Sequence, residues 1–252
     1  MTARAMLLLA SLALYFGQAP TARAAERAQP VVVDLSEDFV AITAGFNGTD
    51  VLLFGATSGI GEVVVVIVGP SQRATVRLKE KIAGIWVNGR EVSFKDVPAF
   101  YQVLSTDTLD EWLPLQVREA NQIGVEYLEI LPDGDVEPAT AAEFRNALIR
   151  NKQAKGHYGK VEDPLDLTGG RLFRSRVFFP ADVPVGIYEI NTYHVVDGRI
   201  VSTQTIPLTI SKTGLEADIY RIAQQNSALY GIAAIIIAVL AGMAGNALFR
   251  RA

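Results

Sequence analysis

The side chains able to do chemistry are few and scattered. His157 and His194 are the only histidines, and cysteine is absent. Without cysteine there is no thiol nucleophile, disulfide framework, Cys-ligated zinc or iron–sulfur cluster. The two imidazoles come from distant segments, so each is read as a loop or strand histidine and not as half of a metal site. The densest carboxylate cluster is Asp133-Gly134-Asp135-Val136-Glu137. Alternating carboxylates suit a hard cation such as calcium, but the further ligands and the bidentate glutamate of an EF-hand are missing. Flanked by Leu131-Pro132 and Pro138, the cluster reads as a solvated turn. Ser58, Ser105 and Ser175 lack the Gly-x-Ser-x-Gly setting of a nucleophile elbow. GATSGIG, residues 55–61, has the glycines of a dinucleotide loop, yet the β-branched run at 63–68 follows it. No helix N-terminus is then available to a phosphate, and the stretch reads as a hairpin turn. Trp86, Trp112, Phe100 and Tyr101 either line a groove or pack a core, and the core is the commoner fate of aromatics in a β-sandwich. No catalytic residue, cofactor site or metal site is assigned, and an enzyme is not expected.

The two ends give stronger signals. Arg4 precedes a 12-residue apolar run at 5–16, and Ala22-Arg23-Ala24 supplies the small-x-small pattern of a signal-peptidase site. Residues 1–24 are therefore expected to be a cleaved signal peptide. At the other end, residues 228–249 form 22 positions without a charge. As a helix they reach about 33 Å, enough to cross a hydrocarbon core of about 30 Å. Arg250 and Arg251 follow, so residues 250–252 are expected in the cytoplasm and the body in the periplasm. Within this helix Ala238 and Gly242, and Ala241 and Gly245, make small-xxx-small pairs, and Asn246 adds a polar side chain. Such a stripe suits helix association.

Charge narrows the partners. The chain has 23 Lys+Arg against 27 Asp+Glu. Arg4, Arg23, Arg250 and Arg251 lie outside residues 25–227 and none of the acids does, so that span carries −8. No basic surplus exists to neutralise phosphates, and nucleic acid is excluded as a partner. An acidic body is also not expected to lie flat on anionic lipid.

Between the ends the pattern is mainly β. Short β-branched runs begin at Val31, and residues 63–68 are six consecutive apolar positions, the signature of a strand buried on both faces. Asn47-Gly48, Ser58 to Gly61, Asn88-Gly89 and Asp197-Gly198 are read as turns, the last as a tight hairpin. Residues 25–106 make one β region and 158–213 a second that is able to share its sandwich. Residues 107–157 are a helical insertion, with Pro114 limiting its first helix and Thr140 and Glu143 forming a capping box on its second. Phe144, Ala147 and Leu148 share a face of that helix, and Gly156 stops it. The Gly-x-Tyr strand from Gly186, its tight turn and the long last strand look like the closing hairpin of an immunoglobulin-like sandwich, an analogy that carries no function. Residues 214–249 read as one juxtamembrane and transmembrane helix, with Leu215, Ile219, Ile222 and Ala223 on one stripe.

Several motifs in order carry a family resemblance. They are Phe46-Asn47-Gly48-Thr49-Asp50, Phe54-Gly55-Ala56, Gly69-Pro70 and Gly84-Ile85-Trp86-Val87-Asn88, followed by Pro98-Ala99-Phe100-Tyr101, Pro184-Val185-Gly186-Ile187-Tyr188 and Tyr230-Gly231. The chain resembles the alphaproteobacterial putative transmembrane protein family over nearly its whole mature length. The resemblance implies a Gram-negative inner-membrane protein with a periplasmic body, and it transfers no catalytic residue. The expected function is a non-enzymatic interaction or accessory module touching the bilayer through residues 228–249 and serving another membrane protein such as a permease. The alternative is a membrane-anchored periplasmic solute-binding or sensing domain.

Overall fold

The valine-rich run at 63–68 dictates the layering. Successive side chains of a strand point to opposite faces, so six apolar residues in a row demand cover on both. In the computed structural model, which describes residues 31–82, 84–213, 231, 232, 235, 236, 238–240, 242 and 243, that demand is met. Val63, Val65 and Ile67 enter one core, while Val64 and Val66 enter another. Residues 1–24, expected to be a cleaved signal peptide, lie outside the described residues.

The chain opens with β1 (Val31–Leu35), β2 (Phe39–Ile42), β3 (Thr49–Thr57), β4 (Glu62–Val68), β5 (Ser71–Ile82), β6 (Ile85–Pro98) and β7 (Tyr101–Ser105). Helices α1 (Leu109–Trp112) and α2 (Leu115–Ala120) follow, then β8 (Leu131–Pro132) and α3 (Pro138–Ala154). The described body closes with β9 (Asp163–Pro164), β10 (Asp166–Thr168), β11 (Leu172–Phe179), β12 (Gly186–Val196) and β13 (Arg199–Lys212). A four-stranded sheet runs β1-β3-β11-β10 and a six-stranded sheet β2-β13-β12-β4-β7-β9. They face each other across a core that includes Leu53, Phe173 and Phe179 from the first and Ile67, Tyr188 and Ile190 from the second. The other face of the six-stranded sheet is covered by β6 through Phe94 and by the helical region through Ile123, Phe144 and Leu148. Each sheet joins strands from both ends of the body, as the parallel β2–β13 pair and the antiparallel β3–β11 pair show.

Local signals mostly act where they stand. Asp197 and Gly198 both take positive φ, 48° and 71°, as the two-residue hairpin between β12 and β13 requires. Pro114 separates α1 from α2, and Gly156 at φ 72° ends the α3 segment. Three expectations are corrected. Residues 58–61 do not close a hairpin: β3 pairs with β1 and β11, β4 with β12 and β7, so the loop crosses between sheets. Asn88-Gly89 is not a turn either. The β5–β6 turn lies between the paired Ile82 and Ile85, with Gly84 at φ 87°, and Gly89-Arg90 fall at a register shift between the Arg77–Glu91 and Lys79–Asn88 pairs. A glycine inside a strand marks such a bulge as readily as a turn. The cap of α3 is Glu137, not Thr140: its carboxylate accepts from the Ala139 and Thr140 amides, and Pro138 occupies the first turn.

The β4–β7 ladder does not stop at the sheet's edge. Val68 lies opposite Tyr101, the Gly69 amide donates to the Phe100 carbonyl, the Ala99 amide donates to the Pro70 carbonyl, and Ser71 lies opposite Pro98. Strands β4–β5 and β6–β7 are thus the two legs of one long ribbon. Its hinge residue Phe100 is fully buried, with its ring centroid 5.2 Å from that of Phe179 and 5.8 Å from that of Tyr188. Phe100→Ala should cost about 3–5 kcal/mol through the cavity it leaves, read as a lowered denaturation midpoint. An unchanged midpoint would show that the ribbon's root is not packed as described.

Candidate functional site

The buried polar residues come first, because each costs free energy unless it is satisfied or used. Tyr101 on β7 donates its hydroxyl to the Gln122 carbonyl (2.6 Å) and accepts from the Gly124 amide (2.8 Å). Burial pushes its phenol well above the ordinary range, so it stays neutral. It braces the turn where Gln122 (φ 50°) and Gly124 (φ 117°) hold strained backbone. Lys152 on α3 reaches the Ala99 carbonyl (3.1 Å), with its ammonium 5.8 Å from the centre of the Tyr158 ring. Burial, helped by Lys155 and opposed by Asp182, lowers its pKa to about 8. Tyr158 donates to the Pro98 carbonyl (2.8 Å). These contacts fasten the helical region to the root of the ribbon.

The two histidines are not brought together. His157 follows α3 and places Nε2 3.1 Å from Asp182 Oδ1, out of line for a hydrogen bond. His194 lies toward the opposite end of β12 from Gly186, which follows Asp182 in the chain. It is fully buried, and neither ring nitrogen has a hydrogen-bond partner among the described residues. A side chain at Gly61 would press on its Nε2. In the acid cluster, Asp133 pairs with Arg73 (2.9 Å), and Glu137 is engaged in capping α3. The amides of Thr140 and Ala139, then the Thr140 hydroxyl, hold the Glu137 carboxyl below its usual range. Among the described residues no group of three or more acids and histidines is placed to hold a metal ion.

Of the four aromatics, Phe100 and Tyr101 are core, and Trp112 packs partly buried against the second core. Trp86 is a correction: it is 65% exposed, because the packing of the ribbon that carries it stops short of it, at Leu78 and Val92. A cleft of about 140 Å³ opens between Tyr101, Val103, Gly124, Glu126, Gly159 and Lys160. Small-molecule sites run to several hundred Å³, so this cleft suits little more than a few waters.

The larger feature is the outer face of the four-stranded sheet. Strict alternation in β1, β3 and β11 sends every second side chain outward. The register sets Val32, Ala56 and Leu172 in one row and Asp34, Phe54 and Arg174 in the next. Leu52 lies opposite Arg176, and Asp50 opposite Phe178. Val32, Phe54, Leu172 and Phe178 are each at least 41% exposed. Apolar rows rimmed by charges of both signs are the composition of a protein-binding surface. The alternating runs TDVLLFGAT and LFRSRVFF carry this signal in the sequence; it went unread there because alternation fixes two faces without saying which is covered.

The helix-association residues are described in part. Ala238 and Gly242 are helical and exposed, and a Cβ on Gly242 would meet nothing within 4 Å. Ala241, Gly245 and Asn246 lie outside the described residues. Ile232, Ile235, Ile236, Val239, Leu240 and Met243 are helical and each more than half exposed. Among the described residues no helix is long and apolar enough to cross a membrane.

The described body is mainly β, and the described helical residues between 231 and 243 are packed into neither core. The model of a family described as putative transmembrane protein (Alph_Pro_TM) matches residues 30–251, and the chain belongs to that family. No curated protein matches the chain.

The Lys152 site yields a pH test. The unfolded chain holds this proton to about the ordinary lysine value of 10.5, the folded one only to about 8. Between the two the unfolded state binds more protons, so this position's contribution to stability rises with pH across that window. Lys152→Met should remove that rise from the pH dependence of the denaturation midpoint; an unaltered slope would show that the ammonium is solvated.

Proposed function

We propose that the chain is a single-pass inner-membrane protein whose periplasmic body is a non-enzymatic interaction module serving another membrane protein such as a permease. The exposed outer face of the four-stranded sheet carries this reading, since an apolar surface centred on Phe54 has no role in a body that acts alone. The transmembrane family supports the anchor, as do the exposed apolar residues between 232 and 243.

The body is best read as immunoglobulin-like. The order β1-β3-β11-β10 corresponds to strands A, B, E and D of that fold, and β2-β13-β12-β4-β7 to A′, G, F, C and C′. The first strand splits between sheets, and its second half runs parallel to the last strand. Tyr188 donates to the Pro184 carbonyl four residues upstream (2.6 Å), in the manner of a tyrosine corner. Sandwiches of this kind present faces and loops to partners far more readily than they assemble catalytic groups, and the small cleft favours a partner over a solute.

A photo-crosslinking residue at Phe54, in the full chain and in native membranes, should form an adduct with one membrane protein. Phe54→Glu with Phe178→Glu should abolish co-purification of that protein while changing stability by no more than about 0.5 kcal/mol per site. Absence of an adduct from Phe54, Leu172 and Phe178 would overturn the reading, and a ligand-dependent rise in melting temperature would replace it with solute sensing. A reporter fused after Ala252 should be active only in its cytoplasmic form; activity on the periplasmic side would reverse the orientation.

A further inference from the structure

We propose that two copies of the chain pair through the outer face of the four-stranded sheet, about a twofold axis running along β3. The inference rests on the reading of that face as a protein-binding surface, and it names a second copy as the molecule that covers the face until the membrane partner displaces it.

The register makes the face complementary to itself. Its outward residues fall into rows across β1, β3 and β11, with Val32, Ala56 and Leu172 in one and Asp34, Phe54 and Arg174 in the next. Half a turn about an axis along the middle strand keeps each row in place and exchanges its ends. Asp34 of one copy then lies over Arg174 of the other, and Val32 over Leu172, each contact occurring twice. Phe54, Leu52 and Ala56 meet their own counterparts on the axis, so apolar side chains fill the centre and opposite charges meet at the flanks. Asp50 also falls on the axis, where Arg176 from each copy, one row away, flanks the two carboxylates. Neighbouring strands lie about 4.8 Å apart, so within one copy Asp34 and Arg174 stand about 10 Å apart with Phe54 between them. Among the described residues Asp34, Asp50, Arg174 and Arg176 form no ion pair, and neither does Asp166, which lies opposite Arg174 on β10. The charges that a second copy would pair are therefore uncommitted.

The same axis suits two chains that lie side by side. The Val31 and Val33 amides donate to the Ser202 and Gln204 side chains in step, so β13 runs beside β1 in the same direction. Strand β1 is antiparallel to β3, which sets β13 along the axis as well. Half a turn leaves directions along its axis unchanged, so β13 ends at Lys212 on the same side in both copies. An axis across the strands would send the two ends opposite ways. Chains that both cross one bilayer through residues 228–249 are thus able to share the contact. Its size fits an exchangeable pair. Strands β1, β3, β11 and β10 supply 5, 9, 8 and 3 residues, and at about 16 Å² of sheet per residue the footprint is about 400 Å² per copy. That lies at the low end of specific interfaces, where transient contacts are found. One face holds one occupant, so the second copy and the membrane partner exclude each other.

The chain has no cysteine, so Phe54→Cys gives the full chain a single thiol. With the purified full chain in detergent, a short bis-maleimide should join two copies of this variant. Leu172→Cys copies should be joined efficiently only when mixed with Val32→Cys copies. Asp34→Arg and Arg174→Asp should each weaken self-association, read by sedimentation equilibrium, roughly tenfold, and the chain carrying both should recover it to within about threefold. All these positions are exposed, so an unchanged denaturation midpoint verifies folding, and the charge reversals stand without the cysteine variants. A monomer at every concentration would overturn the proposal. A dimer indifferent to both reversals would also overturn it, assigning the association to another part of the chain. In native membranes, photo-adducts from Phe54 with a different protein and never with a second copy would overturn it while leaving the binding-surface reading intact. Absence of both kinds of adduct would overturn that reading as well.

Discussion

Burial of β4 on both faces constrains everything built around it. A strand with apolar side chains on each side needs two layers of cover, and the chain supplies them from different places. The four-stranded sheet takes one side, drawing on β1 and β3 from before β4 and β10 and β11 from far after it. The bent ribbon and α3 take the other. Residues 107–157 are therefore not an ornament inserted in a finished sandwich. Removing them would open the Val64 and Val66 face to water and, with it, Tyr101 and Val195.

Buried tyrosines do much of the joining. Tyr101, Tyr158 and Tyr188 each donate to a backbone carbonyl in a loop or at a strand end, at Gln122, Pro98 and Pro184. Two of those acceptors belong to prolines, which have no amide to donate to a neighbouring chain. A phenol offers a large apolar body to the core and a single polar tip to the loop, so it fills both needs with one side chain. Lys152 serves the same region at greater cost, since its charge is desolvated.

What was legible in the sequence was whatever depends on neighbours in the chain. The β4 run, the Asp197-Gly198 hairpin, the break at Pro114 and the apolar face of α3 act through local periodicity or backbone geometry. The failures are nonlocal. A turn at residues 58–61 was readable, but whether it closes a hairpin or crosses between sheets depends on partners more than 100 residues away, such as β11 and β12. Asn88-Gly89 had the pattern of a turn, and the register of a long ribbon put the turn at Gly84 instead. Thr140 had the pattern of a cap, yet Pro138 fixed the helix start earlier and put the cap three residues upstream, at Glu137, a signal available in the sequence. Trp86 looked like core because nothing local reveals that the packed stretch of the ribbon stops short of it.

The position of β13 has a mechanical consequence. It lies between β2 and β12, bonded to both, and it is the strand from which the chain departs. Tension applied from that side runs along the strand, while its ladder bonds lie across it. They would share the strain in shear instead of peeling open one after another, and the parallel β2 would be dragged in the same direction as its neighbour. A pull on the chain beyond Lys212 would therefore load these ladder bonds together.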